Sequence, residues 1–100
     1  MTHLKARKAS NHEAFGTFLM RELSRLHIRR NDFRDVCHMS RTYLEEIKQG
    51  KGNYEVDYYE HILRAFEEFT DEEDAHRIYV EGVRLLFPGL TKKDGGQEEV

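Results

Sequence analysis

The spacing of the apolar residues constrains this chain more than any other feature. Apolar side chains recur every three or four residues, which is the period of one helix face, and the single proline stands at position 88. This pattern predicts an all-α fold. A chain of 100 residues has the size of one domain, and 38% hydrophobic residues can supply one modest core.

Capping signals divide this pattern into five predicted helices. Ser10 and Glu13 form a capping box before the first helix, and Gly50 is suited to the left-handed residue that ends the third. The predicted ranges are 11–27, 30–37, a third helix capped by Ser40, 56–69, and a fifth helix from a capping box at Thr70 to Leu86 or Phe87. The expected buried side chains are Phe15, Phe18, Leu19, Leu23 and Leu26; Phe33, Val36 and Cys37; Tyr43, Leu44 and Ile47; and Val56, Tyr59, Ile62, Leu63 and Phe66.

The net charge of −3 conceals a division between the two halves of the chain. Residues 1–52 carry eleven Lys or Arg and six Asp or Glu, a net charge of +5. Residues 53–100 carry five and thirteen, a net charge of −8. The basic half is suited to a polyanion, although chance clustering on a solvated surface explains the division equally well.

Catalytic and metal-binding patterns are missing from the sequence. The six histidines lack zinc-ligand spacing, and Gly50-Lys51-Gly52 is too short for a phosphate loop. The single Cys37 is expected to be a small buried side chain. We therefore expect no enzyme, no cofactor and no metal. The sequence also has no long apolar run and no apolar stretch after its basic N-terminus, so we expect no membrane span and a cytoplasmic location.

The most informative stretch is residues 28–50, where two short helices are separated by a tight turn. This is the arrangement of a helix-turn-helix motif, in which the second helix enters the major groove of DNA. The apolar residues needed to close such a pair are present at Phe33, Cys37, Met39, Leu44 and Ile47. Short polar side chains at the start of the second helix, Ser40-Arg41-Thr42, are suited to contact with base edges.

This stretch resembles the Cro/CI-like (Xre-type) helix-turn-helix family. The residues that carry the resemblance are Ser40-Arg41-Thr42-Tyr43-Leu44, Ile47 and Gly50-Lys51, with Phe15-Gly16-Thr17-Phe18-Leu19 as a typical opening of the first helix. The resemblance extends to about Phe69. It implies a five-helix, lambda-repressor-like domain that binds a palindromic DNA operator as a homodimer, most often as a transcriptional regulator and more often as a repressor than an activator.

This interpretation assigns roles to residues and segments. Base readers are expected at Arg41, Thr42, Glu45 and Gln49, and phosphate contacts at Arg30, Ser40, Lys48, Lys51, Asn53, Lys5, Arg7 and Lys8. The predicted segments are a flexible basic arm at 1–9, a DNA-binding domain at 10–69 with its motif at 30–49, a C-terminal helix at 70–90, and a disordered tail at 91–100.

The fifth helix is apolar over an arc too wide for one contact. Such a helix must bury two faces, and a second copy of the chain is the simplest partner for the second face. The expected interface residues are Ile78, Tyr79, Val83, Leu86 and Phe87. The alternative is that Phe87 and Leu90 fold back on the first helix.

A second function also fits the sequence. Arg34 stands where the family usually has a small alanine, and His38 stands where it usually has glycine. Glu45 and Glu46 lie on the reading helix, where they either accept from cytosine or pair with Arg41, Lys48 or Arg34. These departures favour a helix-turn-helix scaffold that binds protein, for example an antitoxin-like or adaptor module, with little DNA binding.

Overall fold

The described part of the chain is entirely helical. A computed structural model describes residues 11–51 and 54–87, and these ranges contain five α-helices and no strand, as the periodicity predicts. The helices are α1 (His12–Arg25), α2 (Arg30–Cys37), α3 (Arg41–Lys48), α4 (Val56–Arg64) and α5 (Glu72–Leu86), with a 3-10 helix at Ala65–Glu68. The predicted fourth helix therefore changes to a tighter turn at Ala65. None of the helices in the described ranges is long and apolar enough to cross a membrane.

All five helices contribute to one hydrophobic core. α1 packs against α3 and α5, and α4 packs against α5. The fully buried large side chains are Phe15, Leu19, Phe33, Ile62, Leu63, Phe66, Ile78 and Leu86. The predicted inward residues of α1, α2 and α4 are buried or packed against this core. Tyr43 is the exception, since 45% of its surface is exposed.

Left-handed residues end the first three helices. His27, His38 and Gly50 have φ angles of 57°, 56° and 76°. Each follows the Schellman pattern of two backbone hydrogen bonds, for example from the His38 amide to the Asp35 carbonyl and from the Met39 amide to the Arg34 carbonyl. The predicted role of Gly50 is confirmed. Histidine takes the same conformation at the other two helix ends, although its Cβ makes that conformation less favourable than it is for glycine.

The N-terminal caps agree with the sequence at some helices and differ at others. The Ser40 Oγ accepts a hydrogen bond from the Tyr43 amide at 3.1 Å, as predicted. The cap of α5 is Asp71, one residue after the predicted Thr70, and its carboxylate accepts from the Asp74 amide at 2.8 Å. The cap residue of α1 is Asn11, not the predicted Ser10, which lies outside the described residues. The Asn11 side-chain amide donates to the Leu85 carbonyl at 2.9 Å.

A glycine inside α1 sets the position of α3. A Cβ atom at Gly16 would collide with the carbonyl oxygens of Ile47 and Lys48. The close approach of α1 to the C-terminal end of α3 therefore requires glycine at this position. This contact holds one side of α3 against the body of the domain and leaves its opposite side exposed.

Candidate nucleic-acid interface

The two short helices of the predicted motif, α2 and α3, have the predicted boundaries. α2 and α3 are eight residues each and are joined by a three-residue turn at 38–40. The core residues that close the pair are Phe33, Cys37, Met39, Leu44 and Ile47, and all of them are buried. Burial raises the pKa of the Cys37 thiol to about 12, so the thiol stays protonated and unreactive at neutral pH. This buried wedge fixes the orientation of α3 relative to α2.

Polar residues cover the outer side of α3. Arg41, Thr42 and Gln49 are exposed, and Glu45 is partly exposed. α3 is about 12 Å long at 1.5 Å per residue, which is comparable with the width of a B-DNA major groove. The structure thus brings together the four predicted base readers on one exposed side of a short helix.

Three cations around α3 have no counter-ion nearby. Arg41, Lys48 and Lys51 are exposed, and the side chain of none of them forms a hydrogen bond or ion pair with another residue of 11–51 or 54–87. Their charges are therefore not neutralised within the described structure. We call these three residues the basic face. A cation without an internal partner keeps its full attraction for an external anion.

The two glutamates of α3 have polar partners. The Glu45 carboxylate lies 3.7 Å from the Arg30 guanidinium and accepts a hydrogen bond from the Gln49 side chain at 3.4 Å. The Glu46 carboxylate accepts from the Tyr54 hydroxyl at 2.7 Å. The glutamates thus pair with neighbours, but not with the predicted Arg41, Lys48 or Arg34. Glu45 is therefore in contact with Arg30 and Gln49, although all three side chains remain accessible to water.

The two unusual residues of the motif are accommodated locally. His38 adopts the left-handed conformation for which glycine is common. The Arg34 guanidinium donates to the Asn31 side-chain oxygen on its own helix. Its charged group therefore lies along α2 and not between α2 and α3.

The predicted phosphate-contacting residues fall into two groups. Arg30, Ser40, Lys48 and Lys51 are exposed at the ends of α2 and α3. Ser40 also caps α3, so its hydroxyl oxygen is already an acceptor. The remaining four, Asn53, Lys5, Arg7 and Lys8, lie outside the described residues, as do the predicted arm at 1–9 and the predicted tail at 91–100.

The predicted dimer interface needs a correction. Ile78, Leu86 and Phe87 are 0%, 0% and 6% exposed, because they are buried in the core of their own chain. They are unavailable to a partner in this structure. Tyr79 and Val83 are partly exposed and remain accessible. α5 packs against both α1 and α4, so a large part of its apolar arc is buried within its own chain. Leu90, which the alternative placed on α1, lies outside the described residues.

The sequence interpretation missed two groups of polar side chains. The first is an ion network between α1 and α5, made of Glu22, Arg25, Asp74 and Arg77, in which Glu22 alone is buried. The Glu22 side chain is only 4% exposed and lies 2.7 Å from Arg25 and 2.9 Å from Arg77. The position of Glu22 within the apolar stripe of α1 is the signal that reveals it. Asp74 completes the network at 2.7 Å from Arg25, and this hydrogen bond lowers the pKa of Asp74.

The second missed group is a set of tyrosines beside α3. Tyr43, Tyr54 and Tyr58 pack with ring centroids 4.7 to 6.1 Å apart. Burial, with help from the hydrogen bond to Glu46, raises the pKa of Tyr54 above its ordinary value. The four tyrosines between positions 43 and 59 are the sequence signal for this cluster.

Metal binding has no support among the residues that the structure describes, since no three His, Cys, Asp or Glu side chains there are grouped so that they could hold an ion. Comparisons with models of known protein families, with curated proteins and with solved structures gave no match for this chain.

Proposed function

We propose that this protein binds double-stranded DNA through α3 and acts as a sequence-specific transcriptional regulator. The observation that supports the proposal most is the basic face, in which Arg41, Lys48 and Lys51 lie along and just beyond an exposed, N-capped helix and have no ion-pair partner in the described ranges. Phosphate groups supply the missing negative charge. The resemblance to the Cro/CI-like family supports the same function from the sequence.

The residues of the site divide into two roles in this proposal. Lys48, Lys51 and Arg30 contact phosphates at the two ends of the helix pair and supply affinity for any sequence. Arg41, Thr42 and Gln49 point into the groove and supply specificity. Arg41 is suited to bidentate contact with guanine, and Gln49 to contact with adenine. The ion pair and hydrogen bond of Glu45 hold Arg30 and Gln49 in position for these contacts.

The proposal includes a homodimer on a palindromic operator and a repressor role, both of which rest on the family resemblance. Two copies of α3 would read half-sites one DNA turn apart, about 34 Å. The burial of Ile78, Leu86 and Phe87 limits an interface on α5 to its partly exposed residues, which include Tyr79 and Val83.

The salt dependence of DNA binding tests the proposal. We expect Lys51→Ala to weaken binding to all DNA sequences and to reduce the slope of log affinity against log salt by about one unit, because one phosphate contact is lost. Fluorescence anisotropy with labelled duplex DNA over a range of salt concentrations measures this slope.

Arg64→Ala is the matched control. Arg64 is an exposed arginine of α4, and its guanidinium lies 3.5 Å from Glu67 and 3.8 Å from Glu60, so we expect the slope to stay unchanged. Equal slopes for wild type, Lys51→Ala and Arg64→Ala would contradict a phosphate contact at Lys51. Absence of DNA binding by the wild type would favour the protein-binding scaffold.

A further inference from the structure

The flank of α3 opposite to the basic face has a different chemistry. Successive helix residues are rotated by about 100°, so Tyr43 and Glu46 lie nearly opposite to Arg41 and Lys48. Tyr43 and Glu46 face the start of α4, where Tyr54 contacts both of them. α3 is therefore basic on one flank and aromatic and acidic on the other.

A shallow depression of about 440 Å³ lies on this second flank. Its lining includes three tyrosines, Tyr43, Tyr54 and Tyr58, and two acids, Glu55 and Asp57. The sixth lining residue, His61, donates from its Nε2 to the Cys37 carbonyl at 2.9 Å. We call the three tyrosines, together with Glu46, Glu55 and Asp57, the tyrosine surface.

The tyrosine rings are arranged to attract a cation. Tyr43 is the single large apolar side chain within 11–51 and 54–87 that is strongly exposed, at 45%. Its ring meets those of Tyr54 and Tyr58 edge to face, at 66° and 76°. The Tyr54 hydroxyl donates to the Glu46 carboxylate at 2.7 Å, which moves electron density into the Tyr54 ring. An electron-rich ring attracts a cation more strongly through its negative face.

The charged residues around the tyrosine rings also favour binding of a cation. The acids of the tyrosine surface are Glu46, Glu55 and Asp57, and Glu55 is exposed at the N-terminal end of α4. The lining of the depression contains no lysine or arginine, and its one basic side chain, His61, is hydrogen-bonded to the Cys37 carbonyl. A phosphate is repelled here, whereas a guanidinium is attracted by carboxylates and rings together, because arginine both pairs with carboxylates and stacks on aromatic rings.

We propose that the tyrosine surface binds arginine side chains of a partner protein, through contact with the rings of Tyr43 and Tyr54 and pairing with Glu55. Tyrosine and arginine are the residue types that most often dominate protein–protein contacts. The site shares no residue with the basic face.

A titration of the full 100-residue chain, followed by NMR of the tyrosine rings, tests this proposal. The probe is the peptide acetyl-Gly-Arg-Gly-Arg-Gly-amide, and its control is the same peptide with citrulline, a neutral analogue, in place of arginine. We expect the arginine peptide to shift the ring signals of Tyr43, Tyr54 and Tyr58, and the citrulline peptide to leave them unchanged.

Variants identify the groups that bind. Tyr43→Ala and Glu55→Gln should each weaken binding of the arginine peptide by about fivefold, the size of one exposed cation–π or ionic contact. Tyr43→Phe, which keeps the ring, should retain most of the affinity. Glu68→Gln removes an exposed acid outside the tyrosine surface and should leave the affinity for the arginine peptide unchanged. Lys51→Ala should also leave peptide binding unchanged, even where it reduces DNA binding.

Three results would overturn the proposal. Equal shifts with the citrulline peptide would show that the positive charge is not recognised. Equal weakening by Glu68→Gln and Glu55→Gln would show attraction to the acidic protein as a whole. Shifts of the same rings with rising protein concentration, without peptide, would identify a second copy of the chain as the occupant.

Discussion

The arginines of this protein occupy two different environments, one with acidic partners within the chain and one without. Arg25 and Arg77 lie between α1 and α5, where Glu22 and Asp74 neutralise them at 2.7 to 3.2 Å. Arg41 lies on α3, where it has no partner in the described ranges. Because the residue type is the same, the difference comes from the neighbours. Cations that are paired inside the chain hold helices together, whereas a cation without an internal partner is available to a ligand.

The two regions also differ in the burial of their acidic residues, Glu22 between α1 and α5 and Glu45 on α3. The Glu22 side chain is 4% exposed, so its buried charge depends on the guanidinium groups of Arg25 and Arg77, which are themselves 43% and 38% exposed and stay in contact with water. Glu45 is 45% exposed and lies 3.7 Å from Arg30. Water screens that pair, and its contribution to the free energy of unfolding is small.

The largest expected effect is a loss of stability in Glu22→Gln. We expect the free energy of unfolding to fall by about 1–2 kcal/mol, below the range for a fully buried pair, because Arg25 and Arg77 are partly solvated and glutamine keeps an acceptor oxygen. The same substitution at Glu45 should change it by less than about 0.5 kcal/mol. Urea unfolding followed by circular dichroism measures both values. Equal losses in the two variants would contradict the proposed difference between the regions.

A smaller effect of opposite sign is expected at the turn of the helix pair. His38→Gly relieves a left-handed residue but gives the unfolded chain more freedom, so we expect a net stabilisation of about 0.5 kcal/mol. The gain should appear as a higher urea midpoint with an unchanged slope. His27→Gly, at the end of α1, should behave alike, since its φ angle is 57°. A destabilised His38→Gly would show that the imidazole makes a necessary contact.

The smallest effect is expected in acid. The hydrogen bond from Arg25 lowers the pKa of Asp74 in the folded chain. The contribution of Asp74 is therefore fully present above the unfolded pKa of about 4 and is lost as the pH falls through the folded pKa. Asp74→Asn should flatten the dependence of stability on pH below pH 4. Asp32→Asn, which removes an exposed acid 3.5 Å from Arg29, should leave it nearly unchanged. If both variants flattened the pH dependence of stability to the same extent, the contribution would not come from the hydrogen bond between Arg25 and Asp74.

The sequence predicted local features better than contacts between helices. α2 and α3, the Ser40 cap and the left-handed Gly50 follow from periodicity and capping preferences, which act within a few residues. The sequence assigns the second apolar face of α5 to a partner chain, but three of the five residues expected there, Ile78, Leu86 and Phe87, are buried in the core of their own chain. Periodicity shows that a face is buried and does not show what buries it.

The sequence predicts only those features of the candidate site that depend on a single helix. The exposed positions of α3 follow from its helical period, so Arg41, Thr42 and Gln49 were placed correctly on the outer side. The exposure of Tyr43 was not predicted, because it depends on Tyr54 and Tyr58, which come from a different segment. The counter-ion of a charged residue is likewise set by the tertiary fold.

Selection of binding sites from a random DNA library tests the central claim most directly. The wild-type chain should enrich one motif, and Arg41→Ala should enrich a motif that has lost information at one base pair. Its affinity for the wild-type site should fall by about 1–3 kcal/mol, with a far smaller change on random DNA. Arg64→Ala, in which a paired arginine is removed, should return the wild-type motif. If Arg41→Ala returns the same motif with the same strength, or if the wild type enriches none, the basic face is not a DNA-reading surface.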